Sequence, residues 1–190
     1  MKMKITFIRH GESVYNLKNF CNSRPNNKVV ITPLGKKQAA KAAKELSREP
    51  FQAIFISQLI RTRQTADIIN RFHKLPLIED KRLNDRATGF EGKHVNYFYQ
   101  WRSLQKSPFK SVPPGGESYE QMKTRLRLFL KDLRTSGLRN VLVVTHLPII
   151  KAARGYFLEL SNTAMDSWTE KQVPNCRIIQ FKFPKRLNKK

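Results

Sequence analysis

The chain has 190 residues, enough to bury one substantial core and too few for two ordinary domains, so a single domain over 1–190 is expected. Hydrophobic residues make up 39% and charged residues 27%, the apolar runs are short, and no membrane span is expected. With 37 Lys and Arg against 14 Asp and Glu the formal charge is +23, a field that attracts phosphorylated metabolites, nucleic acid and acidic surfaces without choosing among them.

The basic N-terminus has neither a long apolar stretch nor a small-residue cleavage site before polar sequence begins, so a cytoplasmic protein is expected. Cys21 and Cys176 lie far apart and without clustered histidines, which points to free thiols and to no metal site.

Lys4 to Ile8 reads as a buried strand that delivers Arg9 and His10 at its end. Thr32 before Pro33 is a helix start, and Leu34 to Leu46 continues it. Ala53 to Ser57 is a second strand, followed by helical spacing of Ile60, Ala66, Ile68, Ile69 and Phe72 over Leu59 to Phe72. The stretch 84–116 is irregular, with an aromatic cluster from Tyr97 to Trp101, and reads as an excursion over the ligand crevice. Tyr97, Phe98 and Trp101 also suit the buried face of one short helix. Gln121 to Leu133 is amphipathic and Gly137 ends it. Val141 to Val144 is apolar enough for the centre of a parallel sheet, with Thr145 and His146 at its end. A basic tail over 183–190 closes the chain.

Strands alternating with amphipathic helices define an α/β fold, a three-layer αβα sandwich with a mostly parallel central sheet. Ligands of such sheets bind beyond the carboxyl ends of the strands. Arg9, His10, Ser57 and His146 fall at three such ends and are expected to converge there.

Phosphoryl transfer needs a nucleophile, cations around the phosphate oxygens and an acid for the leaving alkoxide. A neutral imidazole can be the nucleophile, and arginine forks match phosphate oxygens. His10, with Arg9 beside it and Arg61 and Arg63 after the second strand, supplies these parts, and the Asp85 region offers a carboxyl group.

At this point the sequence resembles the histidine phosphatase superfamily, the phosphoglycerate mutase-like family, over most of its length. The segments are Arg9-His10-Gly11-Glu12-Ser13 with Asn16, Thr32-Pro33-Leu34-Gly35 with Gln38 and Ala39, and Ser57 to Ala66. Pro114-Gly115-Gly116-Glu117-Ser118, Val143-Val144-Thr145-His146 and Pro174-Asn175 follow in family order. The resemblance implies that His10 is phosphorylated, that Arg9, Asn16 and Arg61 hold the phosphate, and that His146 is the second pocket histidine. Arg63 is expected to be exposed, and His73 and His94 receive no role. Where the family carries a glutamate as proton donor this chain has Asp85, one methylene shorter, with Glu91 as the alternative.

The expected function is metal-independent hydrolysis of small phosphomonoesters through a phosphohistidine, with no cofactor. The alternatives are a mutase-type phosphotransferase and a non-catalytic basic module for nucleic acid or acidic partners. Nucleic acid is not favoured, because the basic residues are spread over Lys36 to Lys44, Lys123 to Arg134 and Lys182 to Lys190 rather than gathered in an aromatic-flanked motif.

Overall fold

The structure is a computed structural model that describes residues 3–167, 169 and 171–183. The strands are β1 (Lys4–Arg9), β2 (Ala53–Ile56), β3 (Leu77–Glu79), β4 (Asn140–Thr145) and β5 (Ile178–Lys182). The helices are α1 (Val14–Lys18), α2 (Pro33–Leu46), α3 (Ile60–Asn70), α4 (Val95–Ser103), α5 (Tyr119–Thr135), α6 (Leu147–Leu158) and α7 (Asn162–Asp166), with a 3₁₀ turn at Lys81–Leu83.

The strands form one sheet in the order β3-β2-β4-β1-β5. β1, β2, β3 and β4 are parallel, and β5 runs antiparallel along β1. Strand alternation splits the core in two. Ile5, Phe7, Val141 and Val143 face α5 and α6, while Ile8, Ile54, Ile56, Leu142 and Val144 face α2 and α3. Burial of each such side chain contributes roughly 1.5–3 kcal/mol before the cost of chain ordering. The fold is therefore a three-layer α/β sandwich, with the parallel strands covered on both faces.

The predicted helix starts are real and carry caps. The Thr32 hydroxyl accepts from the Gly35 N–H with Pro33 in the first turn, and Ser118 and Gln121 form a reciprocal capping box that starts α5 earlier than the hydrophobic spacing alone indicates. Two expectations need correction. Phe72 does not belong to the buried face of α3, because the helix ends at Asn70 and the ring is exposed. The segment 84–116 is not irregular throughout, since it contains α4. Of its aromatics Phe98 is buried whereas Tyr97 is exposed, so the set does not form one buried face. Residues 184–190 of the basic tail lie outside the described residues.

The chain leaves β1 toward the α2 and α3 layer and leaves β4 toward the α5 and α6 layer, so the carboxyl ends of these adjacent strands open a crevice. Arg9 pairs with Thr145 in register, which sets His10 beside His146. Close backbone contact fixes the crevice wall: a Cβ on Gly35 would stand 2.2 Å from the Glu12 carbonyl oxygen, and one on Gly11 would stand 2.6 Å from that of Gly35. Only glycine allows the start of α2 to touch the loop after His10. Gly35→Ala is expected to cost about 1–3 kcal/mol of stability by forcing these backbones apart. Urea unfolding monitored by circular dichroism would measure this, and an unchanged midpoint would refute the contact.

Candidate active site

Four residues at the end of β1 are held by distant parts of the chain. The Gly11 N–H donates to Thr65 Oγ1 at 2.9 Å and the Glu12 N–H to Gln38 Oε1 at 2.9 Å. Asn175 Nδ2 donates to the His10 carbonyl at 2.8 Å, and the Cys176 N–H to that of Arg9 at 3.0 Å. With its backbone fixed from α2, α3 and the approach to β5, the His10 ring has a defined direction.

His10 is 3% exposed, and its Nδ1 lies 2.7 Å from the Gly11 carbonyl oxygen. A carbonyl only accepts, so Nδ1 carries the proton and Nε2 keeps its lone pair. Arg61 Nε donates to that Nε2 at 3.1 Å. Burial, and then the charge of Arg61, holds His10 well below the ordinary histidine value. It is a neutral imidazole whose unprotonated nitrogen faces the Arg61 guanidinium.

Arg61, 3% exposed in the first turn of α3, is the hub. Besides His10, its Nη1 donates to Asn22 Oδ1, and its Nη2 lies 2.9 Å from the Asn22 carbonyl, 3.0 Å from Asp85 Oδ2 and 3.1 Å from His146 Nδ1. Since a guanidinium only donates, His146 Nδ1 is the acceptor, and Nε2–H donates to Ser57 Oγ at 2.9 Å. Burial and the Arg61 charge hold His146 well below the ordinary value too. Its ring centroid is 5.2 Å from that of His10, but the residue is fully buried and stands behind Arg61 rather than on the cavity wall.

Asp85 reaches the cluster despite its short side chain. The segment before it is tied to the sheet by the Thr145 hydroxyl, which donates to the Leu83 carbonyl at 2.8 Å, and Arg125 donates to the Arg82 carbonyl at 2.6 Å. The carboxylate, 23% exposed, accepts from Arg61, lies 3.6 Å from His146 Nδ1 and takes the Arg86 N–H on its other oxygen at 2.9 Å. Burial raises its pKa above the ordinary carboxylate value, against the opposing pull of Arg61. Glu91 is engaged elsewhere: it accepts from the Ser23 N–H at 2.9 Å and from the Ser23 hydroxyl.

A cavity of about 480 Å³ opens over Arg9, His10, Asn16, Arg61 and Asp85. Asn16 uses Oδ1 to accept the Ser13 N–H and O–H, both at 2.9 Å, which leaves its amide NH₂ as the donor end. Arg9 is buried and donates to the Val173 carbonyl at 2.9 Å. Arg63 lies outside, paired with Glu79 at 2.5 Å. His94 caps α4 and His73 packs on Phe51. Cys21 and Cys176 are free. Sequence reasoning missed Asn22, Arg86 and Tyr119 on the cavity wall, since the first two lie in loops without periodicity and Tyr119 opens α5 ahead of the hydrophobic spacing.

A buried cation cluster stands here beside a neutral histidine and a carboxyl group, a set of groups whose chemistry suits an anionic ligand. The chain belongs to the histidine phosphatase superfamily (branch 1), which it matches over residues 5–188. It is 36% identical over 138 residues to fructose-2,6-bisphosphatase TIGAR B of Danio rerio, covering 68% of this chain and 52% of that protein. It is 30% identical over 168 residues to the 2,3-bisphosphoglycerate-dependent phosphoglycerate mutase of Cytophaga hutchinsonii, covering 83% of this chain and 78% of the mutase. The chain thus spans about half the length of the bisphosphatase relative and over three quarters of the mutase. The fold is shared with a mycobacterial glucosyl-3-phosphoglycerate phosphatase in complex with VO3, at TM-score 0.80 and 23% identity over 94% of this chain and 90% of that one. Among the described residues no helix is long and apolar enough to cross a membrane.

Because the Arg61 charge helps to lower the pKa of His10, Arg61→Gln is expected to raise it toward 6.5. Imidazole ¹⁵N shifts followed with pH would detect this. As pH falls through 6.5 both histidines take up a proton in the unfolded chain while burial keeps them neutral in the fold, so both make stability decline as pH drops below 6.5 toward their lowered folded values. A wild-type His10 that titrates at or above 6.5 would contradict the assignment.

Proposed function

We propose that the protein is a phosphomonoester hydrolase in which His10 carries the phosphoryl group. The observation that carries this reading is the His10 Nε2 lone pair, fixed by the Nδ1–H bond to Gly11 and aimed into a buried cluster of cations. Arg9, Arg61 and the Asn16 amide hold the phosphate oxygens, supplying the positive charge that metal ions provide in other phosphoryl-transfer enzymes. As the Arg61 Nε–H turns from Nε2 to the phosphate oxygens, the freed Nε2 lone pair attacks phosphorus in line with the ester oxygen. As the P–O bond breaks, its electron pair passes to that oxygen, and the protonated Asp85 carboxyl group neutralises it. Water then attacks the phosphohistidine, its proton passes to the Asp85 carboxylate, and the N–P electron pair returns to Nε2 as phosphate leaves. His146 acts through Arg61 and Asp85, positioning both.

The raised pKa of Asp85 suits this task, since more of the acid form persists at working pH than an exposed aspartate would keep. The relatives include both a bisphosphatase and a mutase, and the two outcomes differ in where the phosphoryl group goes. Appearance of labelled free phosphate supports the hydrolase, whereas retention of label in the organic product would assign a mutase. Insensitivity of turnover to EDTA is expected of a hydrolase that needs no metal.

His10→Ala is expected to abolish turnover of all phosphomonoesters. Asp85→Asn should lower turnover of an alkyl phosphate by about 10²–10⁴-fold, and far less with nitrophenyl phosphate, whose leaving group departs without a proton. Equal losses on both substrates would remove Asp85 from the donor role.

A further inference from the structure

Glu91 has no task in the reaction above, yet its contacts lead directly to Arg61. Its carboxylate accepts the Ser23 N–H, at 3.1 and 2.9 Å to its two oxygens, and the Ser23 hydroxyl as well. The other edge of the same peptide unit is the Asn22 carbonyl, which accepts from Arg61 Nη2 at 2.9 Å. In a planar trans peptide the N–H and C=O point in opposite directions. One peptide plane therefore stands between an anion and the buried guanidinium, with each held to its own edge.

Local structure explains how Glu91 arrives there. Phe90 to Lys93 is a turn closed by the Lys93 N–H on the Phe90 carbonyl at 3.0 Å, with Gly92 at φ 72°, a conformation that favours glycine. The turn is laced to the stretch after α1. The Cys21 N–H donates to the Lys93 carbonyl at 2.9 Å, the Gly92 N–H to the Cys21 carbonyl at 3.0 Å, and the Val95 N–H to the Asn19 carbonyl at 2.7 Å. Phe90 also packs edge-on against Phe98 of α4, with centroids 6.3 Å apart. The lacing sets Glu91 opposite Ser23, and both Asn22 and Ser23 are buried, so their hydrogen bonds to Arg61 and Glu91 are strengthened by withdrawal from water.

A carboxylate on this N–H has two effects. It fixes the rotation of the peptide plane, on which the direction of the Asn22 carbonyl depends, and it polarises the amide so that the carbonyl becomes a stronger acceptor. Asn22 then holds Arg61 twice, through that carbonyl and through Oδ1. Burial works against the ionised form of Arg61, and the charges of Asp85 and then Glu91 work for it. Resting on the phosphatase reading, we propose that Glu91 is a positioning residue for the phosphate clamp: through the Asn22–Ser23 peptide it holds Arg61 against His10 and the transferred phosphate.

Glu91→Gln removes the charge while keeping the shape. It is expected to lower kcat/KM by about 10–100-fold, equally with an alkyl phosphate and with nitrophenyl phosphate, because Arg61 holds the phosphate of both. A loss confined to the alkyl phosphate would make Glu91 a proton donor and overturn the positioning role. The second readout is His10. With Arg61 held less firmly against Nε2, its imidazole ¹⁵N titration should move up toward 6.5, and the same substitution made in Arg61→Gln should move it no further. A side chain that merely stabilises its loop leaves that titration unchanged in the folded variant. Both shifts are required: wild-type kcat/KM, or a His10 titration that does not move, overturns the proposal. Should Glu91→Gln not fold, Glu91→Asp, which keeps the charge one methylene short of the Ser23 N–H, is read in the same two ways. Should the wild type turn over no phosphomonoester, the phosphatase reading fails, while the hold of Glu91 on Arg61 is still decided by the His10 titration.

Discussion

A guanidinium withdrawn from water must find acceptors for its N–H groups, and around Arg61 five acceptors converge: His10 Nε2, Asn22 Oδ1, the Asn22 carbonyl, Asp85 Oδ2 and His146 Nδ1. Two of these are imidazole lone pairs, which exist only while the histidines are neutral. The buried cation and the neutral histidines are therefore one arrangement, because each proton added to a ring would remove an acceptor and place a like charge beside Arg61. Neutrality is also what the proposed role of His10 requires, since only an unprotonated imidazole has a lone pair to give. The constraint that keeps the folded core electrically tolerable would thus also prepare the proposed reaction.

Asp85 shows how finely this arrangement is balanced. A carboxyl group in contact with a guanidinium ordinarily ionises more readily, yet burial outweighs that attraction here and raises its pKa. In the proposed reaction a phosphate dianion draws on the Arg61 donors and leaves less of that attraction on Asp85, which favours the acid form. The net charge of +23 plays a different part. Lys36, Lys37, Lys41 and Lys44 on α2, with Arg127, Lys131 and Arg134 on α5, are on the exposed faces of amphipathic helices. Such charges steer anions over distance and are screened by salt, unlike the few cations withdrawn into the cavity.

The parts legible in the sequence are those that obey periodic or capping rules. The apolar run Val141 to Val144 marks a central strand because both faces are covered, and Thr32-Pro33 marks a helix start because it satisfies orphan N–H groups. The convergence of His10 and His146 follows from strand ends, and the register of Arg9 with Thr145 accounts for it. What stays hidden depends on contacts between distant loops. β5 is partly exposed at the sheet edge and carries no strong alternation signal. Asn22 reaches Arg61 through a loop without periodicity, and Arg86 is set by rings from α4 and α5, which no local pattern relates. The burial of Phe98 beside exposed Tyr97 likewise depends on which face of α4 meets the cavity.

The strength of scattered motifs has a physical origin in the four residues from Arg9 to Glu12. An attacking nitrogen must be held to within about 0.5 Å to be productive, and a strand end alone does not achieve this. Gln38, Thr65 and the adjacent pair Asn175 and Cys176 bind the backbone of those four residues from three separate places in the chain, and Gly35 closes against them. The segments that carry Gln38, Thr65 and Asn175 are struts on the same short loop, and Thr145 on the Leu83 carbonyl is one on the segment that presents Asp85. Removing one strut shifts His10 or Asp85 relative to the other, so the segments act together on the one distance that the proposed reaction depends on.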